Sequence, residues 1–534
     1  MRHLLVPLLV VLSLAAPRSA QLENVGALSF PTSATPEAQR HFLRGVAILH
    51  SFGWKQAIAE FKRAQQAQPD FALAYWGESL CYNHPLNAEQ DVKNPRAVLA
   101  RLAPTREARL ATAPTPREKG FLEAVEALWG DGDWRARRVA YRDAMARLHQ
   151  QFPDDDEVTT FYALALLSGA RAEDDATFRP EMQAGALASR VFKRNPNHPG
   201  ATHYIIHAFD DPVHAPLGLE AAFAYAKIVP AVSHAVHMPT HIFIQHGMWH
   251  EVAHQNVRAF NIAKELWQPG DAPGDMAHAG DWGQYGFLQL GDYEGARERI
   301  RAFEEMAATT KHARAASGLT LVKARYIVET EEWTVQPVAG NAAATTLLAN
   351  GLSAVALGEA ATAETMLTQL AARAKIPAAT GAVAAHADHG AAPATAPAGP
   401  AAAAEGNKSA RIMYLELAAR IAESKGDRTR AIALLRDAVA IEESMRPPNG
   451  AADPIKPSHE LLGEVLLRAG EHAEAAKAFD ACLLRMPNRP RSLHGAAQAH
   501  AALGRPDLAR ERWTTLQSFW KGTPFEAPEG VARR

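Results

Sequence analysis

The sequence predicts an all-α fold, a solenoid built from antiparallel helix pairs. Gly470 and Gly504 lie 34 residues apart, and Ala475 and Ala509 have the same separation. Small residues let two helices approach closely, and glycine ends the first helix of a pair because it adopts left-handed backbone without penalty. Alternating β-branched residues, the pattern typical of strands, are nearly absent. We therefore expect the pairs to stack into a right-handed superhelix.

Similar glycine-containing turns recur upstream. The distances between them are irregular, which indicates insertions within repeats. With small residues at the helix contacts and proline after the second helix, the period resembles that of the tetratricopeptide repeat (TPR). The predicted turns between paired helices are Gly53-Trp54, Gly132-Asp133-Trp134, Gly247-Met248-Trp249, Gly291-Asp292-Tyr293, Leu357-Gly358 and Gly426-Asp427.

One stretch interrupts the repeats. Residues 376–409 are rich in alanine, proline and glycine, and such a composition cannot bury an apolar face. We predict a flexible linker there. It divides the chain into an N-terminal TPR-like solenoid over residues 35–375 and C-terminal TPR repeats over residues 410–522.

The N-terminus has the features of a secretory signal peptide over residues 1–20. A short basic start precedes an apolar run from Leu4 to Ala16, which is too short to span a bilayer. No later run of 18 uncharged apolar residues follows, so the mature chain is expected to have no transmembrane segment. The predicted location is the periplasm or the exterior. Arg18 stands where signal peptidases prefer a small residue, which leaves the cleavage site open.

Net charge and cysteine content bear on whether the chain binds nucleic acid and whether it contains a disulfide. Removing Arg2 and Arg18 takes the formal net charge from −2 to −4, which argues against nucleic acid as a partner. Cys81 and Cys482 stand far apart and neither belongs to a CxxC motif. An oxidising compartment permits a disulfide between them, but the sequence does not require one.

Histidines are concentrated in one segment. Ten of the 23 histidines lie between His198 and His254. Histidines gather for metal ligation, proton transfer or a polar binding surface. The sequence contains no GxSxG, Walker A, GxGxxG, HExxH or CxxCH motif. The chemistry of the chain is therefore expected to depend on these histidines.

The first part of this segment predicts a helix over about residues 200–209. His203 and His207 are four residues apart and Asp210 follows at the seventh, so all three share one helical face. HxxxH on a helix is a bidentate metal geometry. The sequence allows two roles for Asp210. It is a further ligand, or it accepts the second ring N–H of a ligating histidine.

The second part predicts a helix over about residues 233–246. His234, His237 and His241 share one face, and Pro239 should kink the helix or start it afresh. First helices of successive repeats line the concave wall of a solenoid, about 8–10 Å apart. Imidazoles from both faces would then reach one ion, such as zinc, copper or iron.

Two alternatives remain open. The histidines can line a polar groove that takes a protein or peptide and no metal. They can also form a metal-dependent enzyme whose reaction the sequence does not name. Four further histidines are weaker candidates because they stand outside the two faces. These are His198 before the first helix, His278 at the opening of the next repeat, and His50 and His84 in the first two repeats.

The motifs themselves resemble those of a group of exported bacterial TPR-containing proteins. The matching stretches are HPGATHYIIHAFDDP (residues 198–212), HAVHMPTHIF (234–243), GMW (247–249), HSFGW (50–54) and NHPL (83–86). The resemblance covers roughly residues 37–300. It implies the repeat fold and the importance of these histidines, but it supplies no reaction.

Overall fold

The structure, a computed structural model, describes residues 20–86, 91–175, 177–376, 400–529 and 531. A short antiparallel hairpin of β1 (Ala20–Leu22) and β2 (Gly26–Leu28) precedes the helices. Residues 1–19 of the predicted signal peptide and residues 377–399 of the predicted linker lie outside the described ranges.

Helices follow in sequence order. Those before the histidine-rich segment are α1 (Pro36–His50), α2 (Trp54–Ala67), α3 (Ala72–Leu80), α4 (Lys93–Leu102), α5 (Arg106–Ala111), α6 (Pro116–Leu128), α7 (Trp134–Gln151), α8 (Asp156–Glu173) and α9 (Arg179–Arg194). Those within and after it, up to the predicted linker, are α10 (Pro199–Ala208), a 3-10 turn (Ala215–Gly218), α11 (Leu219–Ile228), α12 (Ser233–His237), α13 (Pro239–Gln245), α14 (Trp249–Leu266), α15 (Gly274–Leu290), α16 (Tyr293–Thr310), α17 (Ala313–Thr330), α18 (Ala344–Ala356) and α19 (Ala360–Arg373). The C-terminal helices are α20 (Pro400–Ser424), α21 (Arg428–Glu443), α22 (Ser458–Arg468), α23 (His472–Arg485), α24 (Pro490–Ala502) and α25 (Pro506–Phe519).

The helices pack as TPR-like pairs, and the predicted all-α solenoid is confirmed. Helix α1 contacts α2 and α3, and α22 contacts α23 and α24, so the first helix of each pair also touches the first helix of the next. Glycine adopts positive φ at most of the predicted turns. These residues are Gly132, Gly247, Gly291, Gly358, Gly426, Gly470 and Gly504. At the first turn Phe52 takes this conformation in place of Gly53, with φ 56°.

A repeated contact explains the small residues of the pattern. A Cβ added at Gly463 would lie 2.7 Å from the Phe479 ring, and one at Gly495 would lie 2.2 Å from the same ring. The Phe61 ring has the same relation to Gly45 and Gly77. In both repeats one phenyl ring therefore fills the space between two glycines on neighbouring first helices.

Replacing Gly495 with alanine is expected to lower the free energy of unfolding by about 1–3 kcal/mol, because the methyl group overlaps the Phe479 ring and the helices must separate. Chemical denaturation measures the change. Gly340→Ala is the control, since its new methyl group would meet no heavy atom within 4 Å. Equal unfolding free energies for the two variants would contradict this packing role.

The C-terminal repeats pack back onto the helices that carry the histidines. The Trp249 indole N–H donates to the Asn488 carbonyl at 2.8 Å, and the Asn488 amide donates to the His246 carbonyl at 3.0 Å. The segment after α21 lies over the same region, where Gln245 donates to the Pro448 carbonyl at 3.2 Å. Helix α20 begins at Pro400, inside the stretch predicted as linker.

Cys81 and Cys482 are both buried free thiols. Among the residues that the structure describes, no helix combines the length and apolarity needed to cross a membrane.

Candidate metal centre

Three neighbouring first helices bring six histidines together. Helix α10 contacts α1 and α13, and α12 contacts α15. The predicted break at Pro239 is present, because α12 ends at His237 and α13 begins at Pro239. The histidines are His203 and His207 on α10, His234 and His237 on α12, His241 on α13 and His278 on α15.

These histidines form two groups of three. His203, His207 and His234 are the first group, and ligand atoms from all three lie within 4.8 Å of one another. The Nε2 atoms of His203 and His234 are 3.2 Å apart. His207 and His234 are partly buried as residues, although the Nε2 atom of His207 is itself buried.

His237, His241 and His278 form the second group under the same distance limit. The Nε2 atoms of His237 and His241 are 3.1 Å apart. Two ligands on one tetrahedral ion, at bonds of about 2.05 Å, stand roughly 3.3 Å apart. The short separation in each group fits two ligands of one ion, and it also fits a hydrogen bond between the two rings.

The structure distributes the histidines differently from the sequence prediction. The two predicted helical faces put His234 with His237 and His241, whereas the structure places it against His203 of α10. His278, a weaker candidate in the sequence, completes the second group. The cause is the break at Pro239 together with the position of α15 beside α12.

In three of these histidines, the ring nitrogen that points away from the group donates a hydrogen bond to a fixed acceptor. His203 Nδ1 donates to the His50 carbonyl, His237 Nδ1 to Asn256 Oδ1, and His241 Nδ1 to Asp210 Oδ2, each at 2.6 Å. Each acceptor fixes the tautomer with the proton on Nδ1, as inferred from the hydrogen-bond network. The Nε2 lone pairs then point into the groups, which is how metal-binding histidines are usually oriented.

This tautomer creates a conflict that a cation removes. Asn256 donates its amide to the Val252 carbonyl at 2.8 Å, so its oxygen faces His237. His237 and His241 therefore both present bare Nε2 lone pairs to each other at 3.1 Å. Burial and then the neighbouring histidines hold the pKa of His237 well below its usual range, which disfavours a proton on that ring. A metal ion bound to both nitrogens converts the repulsion into two bonds.

Two buried polar atoms beside the groups have no hydrogen-bond partner within the described part of the chain. They are His207 Nε2 and Asp210 Oδ1. Buried polar atoms are nearly always paired in folded proteins, so these two atoms are available to a bound ion or to ordered water. The other oxygen of Asp210 accepts from His241, which is the contact that the second predicted role of Asp210 requires.

A third cluster, His50, Glu157 and His198, differs because its hydrogen bonds are complete. The backbone N–H of Ala201 donates to His198 Nδ1 at 3.1 Å, which leaves His198 Nε2 to donate to Glu157 at 3.1 Å. His50 Nε2 donates to the other Glu157 oxygen at 2.8 Å, and its Nδ1 accepts from Tyr204.

This complete network requires no cation. Burial alone would raise the pKa of Glu157, but His198 and His50 bring it to about 2. Its effect on the metal groups is indirect: it fixes His50, whose carbonyl orients His203.

Aromatic rings line the two groups. The Phe52 ring lies 4.5 Å from His203 and 5.1 Å from His234, between ring centroids. The Trp282 ring lies 4.4 Å from His241. His84 stacks on Trp54 at 5.0 Å and belongs to neither group.

Sequence reasoning missed several of the residues that surround the groups. Phe52 follows His50 in HSFGW, and Trp282 follows His278 in HAGDW. An aromatic residue close behind a candidate histidine could therefore have indicated these two rings. Asn256 and Glu157 carry no comparable signal, since neither belongs to a recognisable motif.

No family model matches the chain, and no curated protein sequence matches it. Solved structures give weak likenesses. The Cut9–Hcn1 hetero-tetramer of APC/C matches at 13% identity over 92% of this chain and 75% of that chain, with a TM-score of 0.29. A human IFIT1 dimer with m7Gppp-AAAA matches at 12% over 92% and 91%, with a TM-score of 0.30. The TPR domain of P58(IPK) matches at 12% over 88% and 98%, with a TM-score of 0.22. TM-scores of this size indicate little global superposition, so the fold assignment rests on the helix pairs themselves.

The thermal stability of the metal-free protein is expected to fall as the pH drops from about 6.5 to 4. Burial lowers the pKa of His203 to about 3 and that of His278 to about 4. In the unfolded chain histidine titrates near ~6.5, so below that pH the unfolded state binds protons first. Each such histidine then removes about 1.4 kcal/mol per pH unit. Melting of chelator-treated protein across this range measures the effect.

His203→Gln keeps a hydrogen-bond donor at this position and removes the titrating ring, so its melting temperature should fall less steeply with pH. The assignment would be wrong if the variant and the original chain gave parallel curves.

Proposed function

We propose that this chain is an exported protein that binds transition metal ions through its two histidine groups. The observation that carries the proposal is the pair His237 and His241, whose Nε2 atoms face each other at 3.1 Å. Each ring donates its Nδ1 proton to a fixed acceptor, Asn256 for His237 and Asp210 for His241, so Nε2 is the atom that each ring offers to an ion. Imidazole nitrogens suit zinc, copper and iron.

The proposal of export depends on a separate feature. The basic and apolar start over residues 1–20 is typical of a signal peptide. Cleavage and transport would place the chain in the periplasm or outside the cell.

The alternative of a peptide in the histidine groove has less support. TPR-like scaffolds suit protein binding, but here the chain's own C-terminal segment lies on the histidine face. The Asn449 amide donates to Asp210 at 3.4 Å, and Gly450 lies against the Trp282 ring. A protein partner would therefore have to bind another face of the solenoid. No enzymatic reaction is proposed.

The test is metal analysis of untagged protein purified from the periplasm. We expect at least about one equivalent of zinc, copper or iron, and a higher melting temperature when metal is returned to chelator-treated protein. Less than about a tenth of an equivalent, with no change in melting temperature, would refute the proposal.

A matched pair of variants assigns the metal to this site. Replacing His237 and His241 with alanine should remove the metal held by the second group, while circular dichroism keeps its helical signal. His250 and His254 have the same four-residue spacing on α14 and are exposed, and replacing both should leave the bound metal unchanged.

A further inference from the structure

We infer that the two histidine groups form one dinuclear centre, which holds two metal ions and a small bridging anion between them. The inference rests on the proposed function and goes beyond it, because a metal-binding protein needs only one ion. It also differs from the sequence prediction, in which both helical faces supply ligands to the same ion.

Six imidazoles are too many for one tetrahedral ion. Each group closes on itself, with ligand atoms within 4.8 Å, and each contains an Nε2 pair separated by 3.1 or 3.2 Å. Three protein ligands and one open position is the arrangement of zinc sites that bind a further small ligand. The structure contains this arrangement twice.

The two groups are in direct contact. The His207 and His241 ring centroids are 5.9 Å apart, and those of His234 and His237 are 6.2 Å apart. His234 and His237 belong to the same turn of α12 and supply one ring to each group. In two-metal sites the ions are about 3.5–4 Å apart and share bridging ligands. Ring centroids about 6 Å apart across the two groups bring the two sets of ligands close enough for one dinuclear centre.

The charge of the site favours an anion as the bridge. The six ligand residues are histidines, which carry no negative charge. The Asp210 carboxylate accepts from His241, and Asp281 near His278 forms an ion pair with Arg325. Two divalent ions in surroundings lined by Phe52 and Trp282 would be under-compensated by one carboxylate. A hydroxide derived from bound water supplies further negative charge, and metal binding lowers the pKa of water to make it available. The aromatic rings limit the bridge to a small ligand.

Copper loading distinguishes this inference from the proposed function. Chelator-treated protein is loaded with Cu²⁺, dialysed, analysed for metal and measured by electron paramagnetic resonance. Two equivalents of copper with an integrated spin well below two per chain are expected, because bridged Cu²⁺ ions couple. No bound copper or other transition metal would refute both proposals. One equivalent, or two with full uncoupled spin, would refute the dinuclear centre and leave the metal-binding function standing.

Single variants test the assignment of ligands. His207→Ala removes a ligand of the first group only, and His278→Ala removes one of the second group only. Each variant should keep one equivalent of copper, now with a full single-ion signal. Loss of both ions from a single variant, or retention of a coupled pair, would overturn the division into two sites. The stoichiometry and spin of the unmodified protein decide the inference even where a variant fails to fold.

Discussion

Replacing Arg489 with alanine is expected to lower the free energy of unfolding by about 3–5 kcal/mol. This guanidinium is 1% exposed and donates to Glu460 at 2.9 Å, to Glu329 at 3.0 and 3.1 Å, and to the Tyr285 hydroxyl at 2.9 Å. It joins the start of α24 to α22, α17 and α15. Without it, the buried Glu329 carboxylate loses the guanidinium that compensates its charge, and Glu460 keeps only its ion pair with Lys456 among those that the structure describes.

The pKa shifts of Glu460 and Arg489 also indicate that these ion pairs stabilise the fold. Burial opposes the charged forms, but Arg489 holds the pKa of Glu460 well below its usual range, and the two glutamates raise that of Arg489. The ion pairs therefore outweigh desolvation. Urea denaturation followed by circular dichroism measures the loss.

Arg510→Ala is the control for a surface ion pair. Its partner Asp507 is 93% exposed, and such pairs contribute at most about 1 kcal/mol. If both variants unfold within experimental error of each other, Arg489 does not secure the C-terminal repeats.

Replacing Asp210 with asparagine is expected to weaken metal affinity by about 10–100-fold. Asp210 accepts the Nδ1 proton of His241 at 2.6 Å, which fixes the tautomer and makes Nε2 more basic. The amide has nearly the same shape but no charge, so His241 becomes a weaker ligand. Competition with a chromophoric chelator measures the dissociation constant for zinc or copper.

The matched control is Asp154→Asn, on an exposed residue that belongs to neither histidine group. It makes the same change in net charge and should leave the affinity unchanged. If Asp210→Asn binds metal as tightly as Asp154→Asn, then Asp210 has no part in orienting His241.

The sequence predicted most of the secondary structure around the site. The helix expected over residues 200–209 is α10 (Pro199–Ala208), and the restart expected at Pro239 separates α12 from α13. Both follow from local rules, since proline cannot continue the hydrogen-bond ladder and helical spacing decides which residues share a face. The assignment of histidines to groups was less accurate, because a shared helical face does not decide which neighbouring helix each ring meets.

By itself, the sequence determined that this chain folds as TPR-like helix pairs and that the histidines of α10, α12 and α13 face inward together. Periodic small residues and fixed turns encode these features within one repeat. Only the tertiary structure placed His234 with α10, brought His278 into the second group, and set Asn256 and Asp210 behind the rings. It also placed Asn449, from the segment after α21, against Asp210, and joined the C-terminal repeats to α15 and α17 through Arg489. Those contacts join residues far apart in the chain, so they depend on how the repeats stack and leave no periodic trace in the sequence.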